Sequence, residues 1–164
     1  MNIPGLNGRK LTDCLMKPSE MAMEISIHDE ETFYNTSHFH HMLRVEQKRT
    51  GRSEKPFLLV LLDLSGLQTI NSNGSVVLEK IKDSLVSCSR ETDIRGWYEP
   101  YRIMGVIFTE MASVDNGSIE KIFHKIHHTL SDTCGADLVK MIKISLYAFR
   151  FPEMNNKKLM VSGF

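Results

Sequence analysis

The chain has 164 residues, 41% hydrophobic and 24% charged, and its 20 Lys+Arg balance 20 Asp+Glu, so the formal charge is zero. That length suits one domain with a core of its own, and the zero balance excludes the long-range attraction on which a general nucleic-acid coat or a membrane-surface protein depends. Cys14, Cys88 and Cys134 are odd in number, far apart and outside any C-x-x-C spacing, the pattern of reduced thiols in a cytoplasmic protein and not of a disulfide or zinc framework.

In chain order, residues 1–28 mix Met, Pro, Gly and polar residues without a period and read as an N-terminal extension; they lack the unbroken apolar stretch of a signal peptide. A first helix is predicted from Thr36, with Phe39, Met42, Leu43 and Glu46 at spacings of three and four, Ser37 as N-cap and Thr50-Gly51 as the stop. Residues 57–62, FLLVLL, are continuously apolar between Pro56 and Asp63, as in a strand buried on both faces, and are too short to span a bilayer. Val77, Leu78, Ile81, Leu85 and Cys88 then recur at helical spacing. Residues 93–98 and 102–109 predict a hairpin around Glu99-Pro100-Tyr101. Ile119, Ile122, Phe123, Ile126 and Leu130 mark a further helix between Asp115-Asn116-Gly117-Ser118 and Cys134-Gly135, and a last strand runs from about Met141 to Phe149.

This order (helix, strand, helix, strand, strand, helix, strand) predicts an α+β fold with packed helices on a mixed central sheet. His38, His40 and His41 cluster on the first helix and His124, His127 and His128 on the late one. His124 and His128 have a spacing that two zinc ligands can share, but the apolar stripe turns them away from the core and no third ligand accompanies them, so no metal site and no cofactor are expected.

Five segments in order resemble the GGDEF (diguanylate cyclase) family, whose domain is similar to the palm of nucleotidyl cyclases and polymerases. Tyr34-Asn35-Thr36-Ser37-His38-Phe39 is similar to its Y-N-R-R-x-F, and the run from Glu46 to Arg52 to its E-x-x-R-x-x-R. The run from Leu61 to Asn71 is similar to its L-D-I-D-x-F-K-x-I-N, Arg90-Glu-Thr-Asp-Ile94 to its R-E-T-D-I, and Ile144-Ser-Leu to its S-I-G. The resemblance spans residues 29–152, implies a nucleotidyl cyclase-like palm and leaves residues 153–164 as a tail without the family's closing C-terminal helix.

The signature itself departs from the family. Glu99-Pro100-Tyr101-Arg102-Ile103 stands where the resemblance places G-G-D-E-F, so Tyr101 replaces a metal carboxylate and Arg102 an acidic position. A hard divalent cation wants carboxylate oxygens, and two-metal phosphoryl transfer needs anionic ligands to hold its ions. Asp63 and Asn71 are then vestigial nucleotide and metal positions. The resemblance also implies an inhibitory R-x-x-D site at Arg90 and Asp93, where a guanidinium fork and a carboxylate can hold a guanine edge. The other reading of that segment is a structural link from helix to strand.

Trp97, Tyr98 and Tyr101 form an aromatic group at the hairpin, either an interaction surface or side chains folded back on their own sheet. The functional expectation is a catalytically inactive GGDEF-like domain, not an enzyme, acting as a regulatory binding or protein-interaction module in bacterial signalling. It is expected in the cytoplasm as a homodimer, with no nucleic acid and no membrane insertion. The alternative is a cyclic di-GMP receptor using Arg90 and Asp93, and a third reading is an active diguanylate cyclase.

Overall fold

The computed structural model describes residues 33–69, 74–151 and 157–159. The extension 1–28 and Asn71 lie outside the described residues. The elements are α1 (Thr36–Ser53), β1 (Phe57–Asp63), a 3₁₀ turn (Ser65–Thr69) and α2 (Gly74–Cys88), then β2 (Ile94–Glu99), β3 (Ile103–Phe108) and α3 (Asn116–Cys134). A single-turn α4 (Ala136–Val139), β4 (Lys143–Phe149) and β5 (Lys157–Leu159) follow.

The strands form one sheet in the order β2-β3-β1-β4-β5, and every neighbouring pair is antiparallel. The α+β architecture stands, but the sheet is antiparallel and not mixed. The crossover through α2 leaves β1 and β2 running the same way, yet β3 folds back from β2 and inserts between them, so the two never pair. The parallel element is an isolated bridge between Tyr34 and Gly96. β5 lies within the segment read as a tail and adds to the sheet edge beside β4.

Alternation along β1 divides the core. Leu58, Val60 and Leu62 join Ile81, Leu85, Ile126 and Leu130 beneath α2 and α3, whereas Phe57 and Leu59 meet Phe39 and Leu43 of α1 on the other face. β1 is thus covered on both sides, as its unbroken apolar run requires.

The first helix begins differently from the sequence expectation. Asn35, not Ser37, is the N-cap, its Oδ1 accepting the His38 N–H at 2.9 Å. The helix also runs through Gly51 to Ser53, closing on Glu54 in a left-handed conformation (φ 57°). Thr50 is buried on that last turn, and its hydroxyl donates to the Lys55 carbonyl at 2.9 Å, which holds the turn together across the glycine. Asp115 caps α3 through the Ser118 N–H at 2.7 Å.

α1 is seated by a slot in the sheet. Gly96 and Gly105 face each other across β2 and β3, and Phe39, fully buried, lies over both. A Cβ at Gly105 would come within 2.5 Å of Phe39 Cζ, and one at Gly96 within 2.6 Å of the Tyr34 carbonyl oxygen. Gly105→Ala is therefore expected to destabilise the fold by about 1–3 kcal/mol in urea unfolding. In a Phe39→Leu background, which leaves room over the slot, the same substitution should cost measurably less.

Candidate functional site

Two groups of chemistry-bearing residues sit at opposite ends of the sheet. At one end Asp63, the last residue of β1, is in register with Ile103 of β3 and Lys143 of β4. Pairing along β3 separates it from Thr109, at the other end, by about 20 Å at the usual strand rise.

At the first end the chain turns sharply after Asp63. Asp63 Oδ1 accepts both the N–H and the hydroxyl of Ser65, the N–H at 2.9 Å. The Leu64 N–H donates to the Arg102 carbonyl at 2.8 Å, tying this turn to the hairpin. Arg102 bridges the cluster: Nε donates to Ser65 Oγ at 3.2 Å and Nη1 to Glu99 Oε2 at 3.1 Å. The Asp63 carboxyl is held below its usual value, chiefly by the Ser65 hydroxyl, with the Ser65 N–H and the positive charges of Arg102 and Lys143 adding to it and partial burial opposing it.

This end therefore offers two carboxylates, Asp63 engaged by Ser65 and Glu99 paired with Arg102, beside the cations Arg102 and Lys143. A divalent ion would meet the repulsion of Arg102 and Lys143, and Tyr101 offers it no carboxylate. Tyr101 is 78% exposed, at a left-handed φ of 56° uncommon for a residue with a side chain. Trp97 and Tyr98 instead lie back on the domain. The Trp97 ring packs edge-on to buried Phe33 at 5.8 Å and near Tyr101 at 5.6 Å, while Tyr98 packs on His40 at 4.6 Å and its carbonyl accepts the His40 Nε2–H at 2.8 Å. Ser65 and Lys143 were not among the residues singled out from the sequence. The D-x-S spacing of a side-chain-capped turn signals Ser65, whereas Lys143 reaches Asp63 only through strand pairing.

At the opposite end Asp93 is buried, and its carboxylate is spent on the backbone: Oδ2 accepts the Arg90 N–H at 2.8 Å and Oδ1 the Thr109 N–H at 3.1 Å. The Asp93 N–H returns to the Arg90 carbonyl at 3.1 Å, and Thr109 Oγ1 donates to the Thr92 carbonyl at 3.3 Å. Buried Arg95 donates to Ser89 Oγ and the Arg90 carbonyl, both at 3.0 Å, closing the end of α2. Arg90 and Asp93 thus sit together as a helix-to-strand link, with the Arg90 side chain exposed. Beside them opens a cavity of about 370 Å³ lined by Arg90, Asp93, Thr109, Glu110, Ser118 and Lys125, among others.

The remaining candidates disperse. His124 and His128 are exposed, and His128 Nδ1 pairs with Asp132 at 2.8 Å. Among the described residues no three His, Cys, Asp or Glu side chains gather as a metal site. Burial pushes the Cys88 thiol up to about 11, leaving it a poor nucleophile near neutral pH. Among the described residues no helix is long and apolar enough to cross a membrane.

Two measurements check these assignments. Asp93→Asn, which exchanges an acceptor-only group for one with an N–H₂ facing backbone donors, should destabilise by about 1–3 kcal/mol in urea unfolding. Because folding lowers the Asp63 pKa, its charge contributes stability in full above the unfolded carboxylate value of about 3.9, and that contribution is lost as pH falls through the lower folded value. The pH-dependent part of the melting-temperature gap between the wild type and Asp63→Asn should accordingly be constant above about pH 4 and close below it.

No protein-family model and no curated protein matches the sequence. Similarity appears at the level of structure. A diguanylate cyclase (DGC) protein from Thermotoga maritima superposes with a TM-score of 0.57 at 20% identity, over 76% of this chain and 87% of that one. The diguanylate cyclase SiaD from Pseudomonas aeruginosa, solved in complex with its activator SiaC, superposes with a TM-score of 0.59 at 15% identity, over 82% of this chain and 57% of that one. With the antiparallel sheet, its packed helices and the hairpin beside the end of β1, these likenesses show that the chain has the fold of the diguanylate cyclase (GGDEF) domains.

Proposed function

We propose that this chain is a catalytically inactive GGDEF-like domain that serves as a regulatory protein-interaction module in bacterial signalling. The observation that carries the reading is the Asp63–Ser65–Arg102–Glu99 network. The Arg102 guanidinium sits between Glu99 and the Ser65 that holds Asp63, where phosphoryl transfer would require cations held by several anionic oxygens. The solved complex of SiaD with its activator supports a protein partner for a domain of this fold. Tyr101, exposed at the hairpin tip, and exposed Met141 and Val76 supply apolar contact surface for such a partner or for a second copy in a homodimer. The same proposal places the protein in the cytoplasm.

A second reading, a cyclic di-GMP receptor, is supported by the cavity beside Arg90, while the engagement of both Asp93 oxygens by backbone N–H groups weighs against the carboxylate as a base-reading group. Calorimetry with cyclic di-GMP separates the two: heat that disappears with Arg90→Ala supports the receptor, and no heat at high micromolar ligand supports the interaction module.

Incubation with GTP and magnesium or manganese should yield no cyclic di-GMP; product formation would overturn the proposal. The melting temperature of the wild type should also be insensitive to millimolar manganese. In Tyr101→Asp/Arg102→Glu, two carboxylates join Asp63 at the hairpin, and manganese should raise the melting temperature by several degrees. A variant that folds without responding to manganese would show that more than these two residues blocks the metal.

A further inference from the structure

The outward face of α1 carries a row of cations that the fold does not use. The helix buries Phe39, Leu43, Glu46 and Thr50. At about 3.6 residues per turn, Arg44, Lys48 and Arg52 fall within about 80° of one another on the side away from those four, and all three are exposed. His41 is exposed in the same arc. Arg49 donates to Oε1 of buried Glu46 at 2.6 Å, whereas Arg44, Lys48 and Arg52 make no hydrogen bond or ion pair among the described residues.

The row works against the helix. Residues three and four apart on a helix are neighbours, and like charges at that spacing repel. Arg44 with Lys48 and Lys48 with Arg52 are both such pairs, and no Asp or Glu stands three or four residues from any of the three. The negative end of the helix dipole favours a cation in the last turn, which accounts for Arg52. It does not reach Arg44, in the middle of an 18-residue helix.

The row continues at the C-terminal end of α1 into a cavity of about 370 Å³ whose lining includes Arg49, Arg52, Lys55, Glu46 and Glu110. Three cations face two acids there, and Glu46 is already paired with Arg49. Positive charge thus prevails from Arg44 to Lys55. A surface arrangement that opposes its own helix and has no structural return points to an anion outside the domain.

The spacing identifies the kind of anion. Successive cations are about 6 Å apart along the axis, the interval at which carboxylates four residues apart repeat on a second helix. Phosphates of one nucleic-acid strand advance about 3.4 Å each, and a chain of zero net charge has no long-range attraction to that polyanion. We propose that the Arg44, Lys48 and Arg52 face of α1 is a docking surface for an acidic helix of a protein partner, with carboxylates at intervals of four residues pairing with the cations. The inference is independent of whether the hairpin end is catalytically inactive.

A peptide of about 20 residues repeating Glu-Ala-Ala-Ala, long enough to hold a helix, tests it on the full-length chain. In an NMR titration it should shift the amides of α1 from His41 to Lys55, and added salt should weaken the binding. Arg44→Gln/Lys48→Gln should weaken it by about three- to tenfold. The same variant should melt at or above the wild-type temperature, because it removes a repelling pair. Shifts confined to other elements, or unchanged binding by the variant, would overturn the proposal. So would a variant that melts below the wild type, by showing that the cations serve the fold. Tighter binding to single-stranded DNA of equal charge would overturn it in favour of nucleic acid, and a mass halved by the variant in light scattering would place a second copy on the face instead.

Discussion

β1 is paired along both edges and covered on both faces, so its register is the constraint from which the rest of the molecule follows. A slip of one residue would turn Leu58, Val60 and Leu62 out from under α2 and α3 and exchange them with Phe57 and Leu59. Held in this register, β1 ends with Asp63 opposite Ile103 on one side and Lys143 on the other. The electrostatics of the hairpin end are thus a consequence of strand pairing, because two cations from distant parts of the chain are delivered to one carboxylate.

The same sheet separates two kinds of carboxylate chemistry. Asp63 sits at the surface within reach of charged side chains, in a local network where Ser65 bonds its carboxylate and the Arg102 guanidinium joins Ser65 to Glu99. Asp93 is buried and does backbone work, satisfying the Arg90 N–H just past the end of α2 and the Thr109 N–H just past the end of β3. The Asp93 carboxylate is thus engaged by the backbone, while the side chains of Arg90, Glu91 and Thr92 in the same turn stay exposed.

Packing explains how the hairpin is held while its tip stays available. Phe39 in the Gly96–Gly105 slot clamps the middle of β2 and β3 from one face, and Phe33 and Trp97 meet on the other. The strands are therefore fixed up to Trp97, the ladder shifts register between Trp97 and Glu99, and Tyr101 projects at a left-handed φ. Strain held by an otherwise rigid hairpin is a common setting for a functional residue.

The sequence alone determined the helices and strands wherever periodicity was strong. The FLLVLL run, the stripe from Ile119 to Leu130 and the alternation Ile142, Ile144, Leu146, Ala148 became β1, α3 and β4 because apolar spacing must match the geometry of the face it buries. It also located the hairpin around Glu99-Pro100-Tyr101, which joins β2 to β3. It misplaced the first helix cap, where Asn35 competed with Ser37 and local preference does not separate them, and it expected a mixed sheet, because neighbour order in a sheet is set by which helix faces can be covered together. Only the tertiary structure decided what Asp63 and Asp93 do: whether a carboxylate is free, caps a turn or faces a cation depends on groups brought near by strand register, and no local pattern contains Lys143 beside Asp63 or Thr109 beside Asp93.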